Sequence, residues 1–192
     1  MPKLVDHEER RRAIIAAAWQ IIADRGIDGI NMRDLAAEAG YTNGALTHYF
    51  SGKDEILQTA FEHVIYSTNL RIAAGVGRRR GHAALRKLCF ELMPLTEEST
   101  LEARIAVSLW QRAMTDPVMV RVNNLAVADW RTRIAGYWQE AVDVGELPAV
   151  NVERGVDLLM TAVIGLQVTA ALDPGSLSRK SQLAMLDAAL SR

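Results

Sequence analysis

A chain of 192 residues and 21.2 kDa is long enough to bury a proper core and to hold one or two domains. Hydrophobic residues at 49% and charged residues at 23% match a globular composition, which excludes intrinsic disorder and collagen-like or low-complexity chains. One cysteine, Cys89, leaves no intramolecular disulfide framework and no multi-cysteine zinc site, and fits a reducing compartment. The first 25 residues carry charges in place of an apolar leader, and no uncharged apolar run reaches the 18 residues of a membrane span. The expectation is a cytoplasmic protein with no membrane partner. With 22 basic and 23 acidic residues the net charge is −1, so any affinity for nucleic acid must come from local placement.

Helical periodicity dominates and the chain reads as all-α. A first helix over about residues 8 to 25 puts Ile14, Ala17, Ala18, Ile21 and Ile22 on one face and ends at Gly26. Asn31 caps a short helix holding Leu35, Ala36 and Ala39, which stops at Gly40. Thr42 caps a third helix, expected from Asn43 to Phe50 with Leu46 and Phe50 inward. Ser51 with Asp54 resembles a capping box for a long fourth helix that ends near Gly75 and Gly77. Further helices are predicted to about Met93 before Pro94, from about Ser99 to Met114, and from Asp116 to Val144 with Pro117 in the first turn. Asn151 opens an apolar helix to about Leu172, and Ser178 a last one to about Leu190. The count is about nine.

The informative stretch runs from Gly26 to Leu57. Two short helices joined by a tight glycine turn and preceded by a supporting helix are the parts of a helix-turn-helix. Ala36 is small where the helices cross, Gly40 permits the positive φ of the turn, and Leu46 reaches back to Leu35 and Ala39. The second helix then presents Thr42, Asn43, Gly44, Ala45, Thr47 and His48 outward, small and polar enough to enter a major groove. Its N-terminal N–H groups suit a phosphate.

Gly40, Gly44, Leu46, Tyr49, Phe50, Lys53 and Leu57 stand at the spacing of a recognition-helix signature, and through them the chain resembles the TetR family of transcriptional regulators. The likeness covers about residues 8 to 65. It implies a dimer of nine-helix subunits, with a DNA-binding domain over 1–53 and a ligand-binding and dimerisation domain over 54–192. It also implies that Asn31 and Arg33 touch phosphates, that Thr42, Asn43, Gly44, Ala45, Thr47 and His48 face the groove or its rim, and that Tyr49 and Lys53 grip phosphates. Thr47 departs from the family pattern, where many members carry a tyrosine. The Thr-His-Tyr-Phe run and the opening Met-Pro-Lys-Leu look more like the subset containing the choline-responsive BetI-type repressors. The implied partners are double-stranded DNA, an unknown small-molecule effector and a second copy of the chain.

Charge placement sharpens this expectation. The first 60 residues hold 7 basic and 9 acidic side chains, so the acidic ones must turn away from a duplex. Lys3 and Arg10 to Arg12 either lie along the DNA backbone or form a solvated first turn. Arg71, Arg78, Arg79, Arg80, Arg86 and Lys87 lie in a stretch with no acidic residue between Glu62 and Glu91, which reads as an exposed connection, a second phosphate patch or an acidic-ligand gate. His63, His82 and Cys89 match no metal-ligand spacing, and neither a metal nor a cofactor is expected. No phosphate loop, nucleophile elbow or H-E-x-x-H pattern occurs, so the chain does not read as an enzyme.

In the remaining two-thirds the eighth helix is apolar on more than one stripe, which suggests burial against both its own bundle and a twin. Met160, Val163, Ile164, Gln167, Leu183 and Leu186 are the candidate dimer residues. Trp110, Met114, Trp130, Tyr137 and Trp138 concentrate large side chains on the sixth and seventh helices and are the candidate ligand residues, or plain core. Trp130 with Asp129 beside it would suit a cationic ligand. The competing reading is a helical small-molecule-binding or interaction protein without DNA-binding function.

Overall fold

The computed structural model describes residues 2–148 and 151–190, with residues 2–6 as backbone only. Among the described residues the chain forms nine α-helices and no strand: α1 (Pro2–Arg25), α2 (Met32–Glu38), α3 (Asn43–Leu46), α4 (Lys53–Val76), α5 (Gly81–Leu92), α6 (Glu97–Ala113), α7 (Pro117–Asp143), α8 (Val152–Leu172) and α9 (Arg179–Leu190). The all-α reading of about nine helices therefore holds.

Capping chemistry explains most boundaries. The side chains of Asn31, Thr42, Thr96, Asp116 and Asn151 each accept from a backbone N–H of the first turn that follows. Thr96 and Ser99 complete a reciprocal capping box. Gly26 ends α1 at φ 70° and donates its N–H to the Ile22 carbonyl at 2.8 Å.

Three boundaries differ from the sequence expectation. Helix α1 starts at Pro2 and not near residue 8. Helix α3 is only four residues, because beyond Leu46 the chain tightens: His48 N–H donates to the Ala45 carbonyl and Tyr49 N–H to the Leu46 carbonyl, both three residues back. The Ser51–Asp54 capping box is absent. Gly52 takes the cap position, and the Ser51 N–H and hydroxyl both donate to the Glu55 carboxylate, at 2.7 and 2.9 Å.

Buried apolar side chains form two cores. The first joins α1 to α3 with the leading half of α4, and it also takes Ile105, Ala106, Leu109 and Ala113 from α6 and Met119 from α7. The second joins the far end of α4 with α5, α7, α8 and α9. The two cores therefore divide within α4, which gives Ile56, Leu57, Ala60, Phe61 and Val64 to one and Ile72 and Val76 to the other. Helix α6 packs on α1, α4, α7 and α8, so it touches both ends of the molecule.

Helix α8, with 21 residues and a mean hydropathy of 1.7, has the length and composition of a membrane span. Here it is a bundle helix: Val156, Leu159, Met160, Val163, Leu166 and Ala170 are buried against the chain's own core. Glu153, Arg154 and Asp157 charge its opening turns. Gly155 sits under the ring of Trp138, where a Cβ would come within 2.5 Å of the indole.

Candidate nucleic-acid interface and effector cavity

The α2–α3 unit is built on side chains with almost no exposure. Leu35, Leu46, Phe50 and Ile30 form its floor, at 0 to 2% of full exposure. Gly40 turns the chain at φ 75°, in the left-handed region that disfavours a side chain. The Tyr41 N–H then closes the turn on the Ala36 carbonyl at 2.8 Å. A four-residue helix has little stability of its own, so this floor holds it in place.

With Leu46 and Phe50 buried beneath, Thr42, Asn43, Gly44, Thr47 and His48 are exposed and Ala45 is half-buried. The Thr42 hydroxyl is committed to capping Ala45 N–H at 3.2 Å, and the Thr47 hydroxyl folds back onto the Gly44 carbonyl at 2.8 Å. Asn31 is likewise committed: its Oδ1 accepts from Asp34 N–H and its Nδ2 donates to the Asp34 carboxylate, each at 2.8 Å. Arg33 is exposed, and Lys53 is half-buried at the first residue of α4. Tyr49 is half-buried in a ring cluster, with centroids 4.8 Å from His7 and 6.2 Å from Tyr41.

The basic residues of α1 divide. Arg11 turns inward, donating to the Tyr49 carbonyl and to Glu55, with its guanidinium 4.1 Å above the Phe50 ring. It fastens α1 to the α3–α4 turn. Arg10 stays exposed and donates to the Tyr49 hydroxyl at 3.1 Å, while Arg12 folds onto the Glu8 carbonyl. The side chain of Lys3 lies outside the described residues. Glu55, at this junction, is held below the usual carboxylate range, chiefly by the Ser51 N–H; the Ser51 hydroxyl and Arg11 act the same way and burial opposes them.

The basic stretch divides: Arg78, Arg79 and Arg80 are exposed, as an exposed connection requires, while Arg71, Arg86 and Lys87 are half-buried. Arg79 donates to the Gly75 carbonyl, Arg80 pairs with Glu140, Arg86 with Asp187 and Lys87 with Glu91. Arg71 is drawn into the interior by Glu91, Glu98 and Glu102. His63 packs in ring contact with Trp19, and Cys89 lies in the second core, where burial pushes its thiol up to about 12.

Between α4, α5, α6, α7 and α8 lies a cavity of about 290 Å³. Of the predicted ligand residues, Trp110, Met114 and Trp130 line it. Tyr137 and Trp138 do not; they pack into the second core, Trp138 on Gly155. The ring N–H of Trp110 is tied to Asn123 at 3.1 Å and that of Trp130 to Asn69 at 2.8 Å, which fixes both indoles. Asp129 is not a wall residue and pairs with Arg133 at 3.3 Å. The acidic groups at the wall are instead Glu91 and Glu102, which the sequence reading missed. Glu102, 4% exposed, accepts from Arg71 and, at 3.1 Å, from the Thr68 hydroxyl.

The predicted dimer residues split in the same way. Met160, Val163 and Leu186 are buried within the chain, Leu183 is half-buried, and the Gln167 amide donates to the Leu92 carbonyl at 2.9 Å. Ile164 is exposed, along with Leu158, Ala162, Gly165 and Leu172 on α8 and Met185 on α9.

A helix-turn-helix with its second helix held outward, joined through shared helices to a bundle that encloses a cavity, defines a ligand-binding transcriptional regulator. Residues 14–60 match the model of bacterial regulatory proteins of the tetR family, and residues 81–192 match that of the C-terminal part of BetI-type transcriptional repressors. The chain belongs to the TetR family. It is 30% identical to the HTH-type transcriptional regulator PksA of Bacillus subtilis over 91% of this chain and 84% of that one. It is 24% identical to the BetI regulator of Burkholderia lata over 95% and 93% of the two chains. A transcriptional regulator from Saccharomonospora viridis, solved in complex with choline, shares its fold at a TM-score of 0.88 and 21% identity, over 94% of this chain and 95% of that one. As the family implies, this is a regulator and not an enzyme.

Proposed function

We propose that the protein is a homodimeric repressor that binds a pseudo-palindromic operator through α3 and is released when a small molecule enters the cavity. The observation that carries this reading is the exposure of Thr42 to His48 over a floor of fully buried Leu35, Leu46 and Phe50. Two such helices in a symmetric dimer enter successive major grooves about 34 to 36 Å apart. Arg33, Tyr49 and Lys53 set the register on phosphates, and Thr42 to His48 meet the groove; Asn31 supports the seat from its cap. The exposed apolar strip of Leu158, Ala162 and Gly165 on α8 with Met185 on α9 pairs with its twin, while Ile164 lines the cavity.

Coupling runs through α6. Trp110, Ala113 and Met114 border the cavity, and Arg112 between them reaches Asp54 in the first turn of α4 at 3.0 Å. A ligand that moves the end of α6 thereby moves the helix that carries Lys53, and with it the spacing of the two reading heads. A penalty of a few kcal/mol on the DNA-bound spacing is enough to free the operator.

The wall favours a small organic cation. Two fixed indoles stand at the wall, and in the ion-pair network beside them three carboxylates, Glu91, Glu98 and Glu102, face two cations, Arg71 and Lys87. Choline, which the Saccharomonospora viridis relative binds, is the natural first probe. Selection of bound sequences from random duplex DNA tests the central claim: a palindrome should enrich, and failure to enrich one overturns it. For the effector, choline should raise the melting temperature and release the enriched duplex. Equal action by the uncharged isostere 3,3-dimethylbutanol would overturn the cationic assignment.

A further inference from the structure

The cavity wall is ordered along its length. On α6 it takes Ser99, Glu102, Ala106, Trp110 and Met114, a single stripe at helical spacing that runs almost the whole helix. From Glu102 to Met114 that stripe covers roughly 18 Å of helix axis. The facing stripe on α4 runs from Phe61 through Val64 and Thr68 to Arg71. The two helices are antiparallel: Arg112 reaches Asp54 at 3.0 Å at one end, and Glu102 accepts from Thr68 and Arg71 at the other. The space between them is therefore a slot, long in one direction.

Polarity follows this axis. At one end stand Thr68, Arg71, Glu91, Ser99 and Glu102, of which Thr68, Ser99 and Glu102 are only 4 to 8% exposed, so the charged end is closed. Trp130, tied to Asn69, stands beside it. The other end is lined by Phe61, Val64, Ala113, Met114 and Val120, and the Asn123 carbonyl oxygen there is taken by the Trp110 ring N–H at 3.1 Å. This apolar end is the open one, with Met114 77% and Val120 39% exposed. A bare cation would answer the surplus of carboxylates at the closed end and leave the apolar mouth in water; a plain hydrocarbon would cover the mouth and leave the surplus unanswered. The volume of about 290 Å³ approaches that filled by drug-sized ligands, which is far more than choline needs.

We propose that the effector is an amphiphile, with an ammonium head seated at Glu91 and Glu102 beside Trp130 and a linear apolar tail that lies along α6 and leaves at Met114. The inference rests on the cationic reading of the wall above and adds the tail to it. The tail is the part of the ligand that reaches the end of α6, where Arg112 holds Asp54.

The test is a homologous series of alkyltrimethylammonium ions, from methyl to octyl, titrated calorimetrically into the full-length protein below the concentrations at which the tails aggregate. Affinity should climb about fourfold with each methylene that enters the slot, and the duplex enriched by selection should be released at correspondingly lower concentrations. Ala106→Leu narrows the slot one turn beyond Glu102 and should flatten the climb while leaving the affinity for tetramethylammonium unchanged. Met114→Asn, at an exposed position that folding tolerates, should weaken only the longest tails. Affinity that stays level from methyl to octyl overturns the proposal and leaves the cationic reading standing. A climb undiminished in both variants also overturns it, because the tail would then lie elsewhere. Octyl sulfate binding as tightly as octyltrimethylammonium, or no binding by any member of the series, overturns the proposal and the cationic reading together. Melting curves of each variant without ligand separate these outcomes from loss of fold.

Discussion

Leu35, Leu46 and Phe50 under the reading helix lie against one another with almost no solvent exposure, whereas Thr68, Arg71 and Glu102, also well inside the molecule, border about 290 Å³ of open space. The first region puts its apolar groups inside and its polar groups out. The second does the reverse along part of its wall, and holds its charges there by pairing them with one another. The difference reflects what each end must do. A reading head has to keep one shape while it meets a rigid duplex, and dense packing supplies that. A sensing cavity has to gain free energy when something fills it, so it must stay underfilled and carry groups that a ligand can use. Helix α6 belongs to both regions, with Leu109 in the dense core and Trp110 on the cavity wall.

The comparison breaks most visibly at Leu46. Replacing this fully buried side chain by alanine should cost about 4 kcal/mol, since it is the one buried residue by which the four-residue helix itself grips the floor of Leu35, Phe50 and Ile30. Operator binding should be lost while the α4–α8 bundle stays helical, as read by denaturation and circular dichroism. Loss of both regions together would mean that the reading head and the cavity bundle form one inseparable unit.

At the cavity the corresponding lesion is Arg71→Met. It strips the guanidinium from Glu91 and Glu102 and should cost about 3 kcal/mol, because the partners left behind are poorly solvated carboxylates. Adding Glu102→Leu should recover part of that loss in the same denaturation assay. No recovery would mean that Arg71 acts through its bond to the Glu91 carbonyl and not through charge.

These two sites were not equally legible in the sequence. The reading head could be read because its determinants are local: Asn31 and Thr42 cap the helices, Gly40 makes the turn, and Leu46 falls one helical repeat from Phe50. The cavity is assembled from five helices, and no spacing rule links Thr68, Glu91 and Glu102. Trp110 and Trp130 stood out by size, but size also marked Tyr137 and Trp138, which fill the second core. Periodicity failed on α8 for a related reason. With apolar residues on every side, nothing in its sequence says that Met160 and Val163 face inward while Leu158 and Ala162 remain exposed. The early end of α3 was hidden too, because the Tyr49 carbonyl just beyond it is held by Arg11 from another helix, a contact no local spacing announces.

Below both regions in severity lies Gly155. A Cβ there would meet the Trp138 indole at 2.5 to 2.9 Å, and a ring buried in the second core has little room to retreat. Gly155→Ala should cost about 2 kcal/mol by overpacking and leave operator affinity per folded molecule unchanged. Gly155→Ala with Trp138→Phe should restore much of the melting temperature. A drop in operator affinity for folded Gly155→Ala would show that the second core also shapes the reading head.

The smallest expected effect probes the seam where α4 leaves the reading head. Glu55 accepts from the Ser51 N–H and hydroxyl and from Arg11, and the first of these does most to hold its carboxyl below the usual range. A carboxylate whose pKa is lowered by folding adds stability that is fully present above its unfolded pKa and is lost as pH falls through the lowered value. Since the side chain is still 36% exposed, solvent screening keeps this below about 1 kcal/mol. Glu55→Gln should therefore lower the denaturation midpoint slightly at pH 7, and the gap to the wild type should close in acid as the wild-type carboxylate takes up its proton. A gap that persists unchanged in acid would assign the role of Glu55 to packing, and the seam would then be held by Arg11 on the Tyr49 carbonyl and the Phe50 ring.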